Sequence, residues 1–172
     1  MENVLVSSCL LAKKVRYNAT DVKAKDISFT LIVNKWLADN RVISICPEVD
    51  AGMSIPRPSA EIFRGDGMDV WLNETTVYEN YGKDVTASFK QGATNALKIC
   101  IKHNIKVAVL TENSPSCGSR YVYDGSFSGK KIEGVGVTTA LLQQNGIIVF
   151  NQNDIIKAHH YLLTLESNNI NQ

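Results

Sequence analysis

The sequence has no Cys-x-x-Cys pair among its four cysteines, no long apolar run and only three histidines. Without paired cysteines, neither a zinc ribbon nor a thioredoxin-type site is indicated. No apolar stretch approaches the length needed to cross a bilayer. Met1-Glu2-Asn3-Val4 lacks the basic and apolar regions of a secretory signal, so a cytoplasmic location with no membrane partner is expected. Thiols are kept reduced there, which argues against a disulfide framework. Charge of one sign is missing too. The formal net charge is +1, with Lys and Arg scattered along the chain. That excludes the electrostatic footprint of a duplex nucleic-acid binder, though not a small base as substrate.

What is present suits one globular domain. The 172 residues, 44% of them hydrophobic, suffice for a sizeable core. Val4-Leu5-Val6, Val42–Ile45, Val107–Leu110 and Ile147–Phe150 read as buried strands. Helical spacing covers Asp26–Asp39, with Ile27, Leu31, Ile32, Trp36 and Leu37 as its apolar face. A longer helix is predicted from an Asp84 N-cap to about Asn104, burying Val85, Phe89, Ala93, Ala96, Leu97, Cys100 and Ile101. Val70-Trp71-Leu72 and Thr76-Val77-Tyr78 read as a hairpin, the flanking segment Glu48 to Gly67 as a loop, and Tyr121–Lys131 as turn-rich. Further helices are expected from about Gly136 to Asn145-Gly146 and from Asp154 to Leu165. The expectation is therefore an α/β fold: a single compact, Rossmann-like domain over 1–165, with a largely parallel sheet, flanking helices and a polar C-terminal tail over 166–172.

In such sheets the binding crevice lies beyond the carboxyl ends of the strands. Cys9, Cys46 and Cys117 each follow a predicted core strand, so all three should meet on that edge. Cys100 falls in a helical apolar stripe and reads as a small buried hydrophobe. Ser114-Pro115-Ser116-Cys117-Gly118 reads as a rigid, exposed turn that presents a thiol, and Cys46-Pro47-Glu48 sets a carboxylate beside one. His103, His159 and His160 lie near helix ends, away from this edge, so a cysteine–histidine or serine triad lacks its base. Three thiolates suit zinc or an iron–sulfur cluster, and three protein ligands leave one coordination position open. Gly134-x-Gly136 ahead of a helix is a weak candidate anion cradle.

Several motifs together resemble one family of small bacterial proteins that includes the thiouracil desulfidases. They are Ser7-Ser8-Cys9-Leu10-Leu11, Val15-Arg16-Tyr17, Cys46-Pro47-Glu48-Val49, Pro56-Arg57-Pro58 and Gly82-Lys83-Asp84-Val85-Thr86. Gly92-Ala93, Ser114 to Gly118, Tyr123 to Phe127 and Gly134 to Thr138 extend the likeness, which runs from Val4 to about Phe150. The resemblance implies a [4Fe-4S] cluster held by Cys9, Cys46 and Cys117 with the fourth iron free. It implies removal of sulfur from a thiolated pyrimidine by non-redox hydrolysis, the free iron capturing the sulfur. Glu48 matches the acid/base carboxylate, and Ser114 the serine that assists proton transfer or orients substrate. Arg16, Arg57 and Ser116 are candidate substrate-binding residues, with Arg16, Arg57 and Glu61 equally able to pair among themselves. Where Ala12 and Ala51 stand the family often carries glycine, and Asn18-Ala19 replaces an Asp-Gly or Asn-Gly turn. The chain is expected to act as a monomer or homodimer. A non-enzymatic iron–sulfur or sulfur-carrier protein and a zinc-dependent hydrolase are the competing readings.

Overall fold

The computed structural model describes residues 1–23 and 26–170, the last two of these by backbone only. Its centre is a sheet of four parallel strands in the order β2-β1-β5-β8. These are β1 (Val4–Ser7), β2 (Val42–Ile45), β5 (Val107–Leu110) and β8 (Ile148–Asn151). Val4 pairs with both Val42 and Val107, and Val107 with Ile148. The central strands β1 and β5 are buried at every residue, as a sheet covered on both faces requires.

Alternation along these strands separates two cores. Val4, Val6, Val107 and Val109 face α1 (Ile27–Ala38) and α6 (Ile155–Ile170), meeting Phe29, Val33, Trp36, Ile155 and Leu162. Leu5, Ala108 and Leu110 face the other side, against Ala96 and Cys100 of α4 (Thr86–Lys102) and Leu142 of α5 (Val137–Gln144). The fold is thus the mixed α/β domain expected. Two small antiparallel pairs extend it: β3 (Ala60–Ile62) with β4 (Val77–Glu79), and β6 (Tyr121–Tyr123) with β7 (Lys131–Glu133).

Some local expectations are corrected. Val70-Trp71-Leu72 is not a strand: α3 (Gly67–Trp71) occupies this stretch. Asp66 explains why, since its carboxylate accepts from the Met68 and Asp69 N–H groups while Asp69 returns a bond to Asp66. The strand partner of Val77 is instead Ile62, inside the segment read as a loop. That segment also holds the short helix α2 (Pro47–Asp50), started by proline in its first turn. On α1 the buried residues are Phe29, Val33 and Trp36, while Ile27 and Leu31 are exposed. Ile101 is likewise exposed on α4, whose start is Thr86, with Asp84 accepting from the Thr86 N–H at 2.8 Å. The tail expected from residue 166 is helical as far as Ile170; residues 171 and 172 lie outside the described residues.

Candidate functional site

The carboxyl ends of β1, β2 and β5 open into one cavity of about 600 Å³. Cys9, Cys46 and Cys117 all line it, together with Arg16, Glu48, Arg57, Thr111, Glu112 and Ser114. Cys9 sits in a 3-10 turn (Ser8–Leu11) directly after β1. Cys46 is the N-cap of α2, directly after β2. Cys100 is buried in the core on α4, away from the cavity, where burial pushes its thiol up to about 12. All four cysteines are free of disulfides.

The cavity thiols sense one another. Burial raises Cys117 most, and the charges of Cys9, Cys46 and Glu48 oppose its ionisation further. Burial also raises Cys9, with Cys46 adding to the effect while the Thr111 hydroxyl and Arg16 work against it. Cys46 is raised by burial and by Glu48, against the backbone of Val49 and the Arg57 guanidinium. Such mutual repulsion between buried thiolates is relieved by a cation among them. Among the described residues, no three His, Cys, Asp or Glu side chains form a group that could hold a metal ion as they stand.

Two close backbone approaches place the cysteines. A Cβ on Gly92 of α4 would overlap the Pro47 carbonyl, so glycine there lets α4 press against the start of α2, beside Cys46. A Cβ on Gly136 would overlap the Ser116 backbone. This lets the first N–H groups of α5 bond the cysteine turn: Val137 to the Pro115 carbonyl at 2.9 Å, and Thr138 to Ser116 at 2.8 Å. Gly136 donates to Gly118 at 2.8 Å, and the Thr139 hydroxyl to the Cys117 carbonyl at 2.9 Å. The helix start proposed as an anion cradle therefore clasps the Cys117 loop, and its donors are used. The turn is not exposed either, for Ser116, Cys117 and Gly118 are all buried.

Glu48 and Arg57 form a partly buried ion pair, with Nε and Nη2 both reaching Glu48 Oε2, at 2.8 and 2.7 Å. Arg57 Nη1 donates to the Val15 and Ser54 carbonyls, so the guanidinium is committed to protein partners. Ser114 Oγ accepts from the Ser116 and Cys117 N–H groups, both at 3.2 Å, and lines the cavity. Ser116 does not line it; its hydroxyl bonds Thr138 at 2.8 Å in the interior. Arg16 lies half-buried in the cavity wall beside Tyr17. Glu61 accepts from the N–H groups of Gly125 and Phe127, both at 3.0 Å, fixing the loop that carries Phe127 along the cavity.

Glu112 carries no signal in the sequence, yet it organises the Cys117 loop. Its Oε1 accepts from the Asn113, Ser119, Arg120 and Tyr121 N–H groups, and its Oε2 from the Ser119 hydroxyl. Burial works to raise its carboxyl, but these donors outweigh it and hold the group below its ordinary value.

The fold and the site define an α/β domain with three free thiols and a carboxylate on one cavity at the carboxyl edge of its sheet. The chain belongs to the 2-thiouracil desulfurase family, whose sequence profile matches residues 4–154. It is 40% identical over 152 residues to YbbK, an uncharacterized protein of Bacillus subtilis (strain 168), covering 88% of this chain and 97% of that one. Among solved structures, the [4Fe-4S]-dependent thiouracil desulfidase TudS matches with a TM-score of 0.84 and 36% identity, over 95% of this chain and 99% of that one.

Proposed function

We propose that this protein removes sulfur from a thiolated pyrimidine such as thiouracil, with a [4Fe-4S] cluster held by Cys9, Cys46 and Cys117. The observation that carries the reading is the shared cavity of the three free thiols, in a chain of the 2-thiouracil desulfurase family. The donor set fits: thiolates are the ligands of iron–sulfur clusters, and three leave one iron open. When bound, the cluster supplies a soft Lewis acid for the departing sulfur. Free thiols also suit a reducing, cytoplasmic setting.

The chain's own residues do the rest. Glu48 holds Oε2 against Arg57, which leaves Oε1 to take a proton from the water whose oxygen replaces sulfur on the ring carbon. The thiocarbonyl sulfur leaves as sulfide, and no atom changes oxidation state. Ser114 Oγ accepts two backbone N–H groups, so its own proton is free to be donated into the cavity, toward a ring heteroatom of the substrate. Arg16 adds a positive group to the wall. Arg57 acts on the substrate through Glu48, and Ser116 supports the fold of the cysteine turn.

The test is sulfide release from thiouracil by anaerobically reconstituted protein. Catalytic turnover with loss of activity in Glu48→Ala is expected. Stoichiometric sulfur transfer without turnover would assign the protein as a sulfur carrier, and activity with one zinc and no iron would assign a zinc hydrolase.

A further inference from the structure

Ser7 ends β1, Thr111 follows β5, and the parallel pairing of these strands sets the two residues side by side. The Thr111 N–H donates to Ser7 Oγ at 3.1 Å. That occupies a lone pair of the serine and turns its own proton toward Cys117 Sγ, 3.8 Å away. Thr111 Oγ1 lies 2.8 Å from Cys9 Sγ. Ser7 is 2% exposed and Thr111 7%, so neither hydroxyl has ready access to bulk water as an alternative partner. These are buried hydroxyls aimed at two of the three cavity thiols, and the desulfidation chemistry outlined above uses neither.

We infer that Ser7 and Thr111 are positioning residues that donate hydrogen bonds to the sulfurs of Cys117 and Cys9, and so set the reduction potential and Lewis acidity of the iron–sulfur group. The inference rests on the cluster reading above. A ligating cysteine is a thiolate with no proton to give, so at both contacts the hydroxyl must be the donor. Donation draws electron density from the sulfur, weakens its bond to iron and stabilises the reduced cluster, which raises the potential. It equally makes the iron a better acceptor for a substrate sulfur. A buried setting strengthens such bonds. Among the described residues no hydroxyl bonds Cys46; the backbone of Val49 and Glu48 favours its thiolate instead, and the Val15 carbonyl at 3.9 Å is an acceptor that cannot serve it.

The experiment compares the wild type with Ser7→Ala, Thr111→Val and Thr111→Ser, each reconstituted anaerobically and assayed first for iron. Redox titration followed by electron paramagnetic resonance gives the midpoint potential, and resonance Raman the terminal Fe–S stretching frequencies. Ser7→Ala and Thr111→Val are expected to shift the potential negative and the frequencies upward, with the double variant shifted further. Thr111→Ser should stay near the wild type because it keeps the hydroxyl. Unchanged potentials and frequencies in Ser7→Ala and Thr111→Val at full iron content would overturn the inference, as would a Thr111→Ser shift equal to that of Thr111→Val. Should Thr111→Val take up no cluster, full uptake by Thr111→Ser supports the hydroxyl's role, and equal failure of both contradicts it. A wild type that binds no iron would sink the cluster reading itself, a different result from iron-loaded variants that do not shift.

Discussion

Arg57 grips a single oxygen of Glu48 with two of its nitrogens, at 2.8 and 2.7 Å, while its third nitrogen is held by the carbonyls of Val15 and Ser54. The carboxylate is thereby fixed in the cavity wall two positions after Cys46 in the chain, with Oε1 outside the grip.

This geometry predicts how the pair fails. Glu48→Gln should lose roughly 10²- to 10⁴-fold in turnover, the usual contribution of a general acid–base group. Arg57→Lys keeps the charge but not the two-nitrogen grip, and should lower kcat by about 10- to 100-fold with little change in KM. Steady-state desulfidation at matched iron content measures both. An Arg57→Lys variant with normal kcat would mean that Glu48 does not depend on the guanidinium for its orientation.

Glu112 predicts an acid sensitivity of the Cys117 loop. Its carboxyl is held below the ordinary value of 4.5, so its contribution to stability is full above that value and is lost as pH falls through the lowered one. Replacing the carboxylate by an amide in Glu112→Gln should cost about 1–3 kcal/mol at neutral pH, from buried donors left poorly paired. The gap between variant and wild type should close as the pH is lowered below 4.5. Urea unfolding at a series of pH values reads this directly, and a gap that does not change with pH would contradict it.

Ala12 and Ala19 adopt left-handed backbone conformations, with φ of 59° and 56°. A Cβ is disfavoured there, whereas glycine adopts this conformation at little steric cost. Ala12→Gly and Ala19→Gly should each stabilise the protein by about 0.5–1 kcal/mol, the reverse of the usual effect of glycine. For a chain of this size that corresponds to a rise in Tm of roughly 1–4 °C per substitution. A fall in Tm for both would show that the loops around them relax at no cost.

Much of this was legible in the sequence. Val4–Val6, Val42–Ile45 and Val107–Leu110 are nearly pure apolar runs, which only a sheet covered on both faces accommodates, so the cysteines that follow them were bound to share an edge. Other features were hidden because their cause is tertiary. Val70-Trp71-Leu72 looks like a strand by composition, but the Asp66–Asp69 capping box starts a helix over Gly67–Trp71. Leu31 fits an apolar stripe, yet α1 turns Phe29 and Val33 inward instead. Glu112 lies one loop away from the residues it binds, and no local pattern announces a carboxylate that collects distant backbone donors. The glycines before α5 look like an anion cradle, but the N–H donors there are taken by the Pro115, Ser116 and Gly118 carbonyls.

The most direct test of the central claim is the iron content of anaerobically reconstituted protein, with each cysteine replaced in turn. The wild type and Cys100→Ala should both bind about four irons per chain, with broad brown absorbance. Cys9→Ser, Cys46→Ser and Cys117→Ser should lose most of that iron while remaining folded. Full iron in all three cavity variants, or iron lost only in Cys100→Ala, would contradict the account.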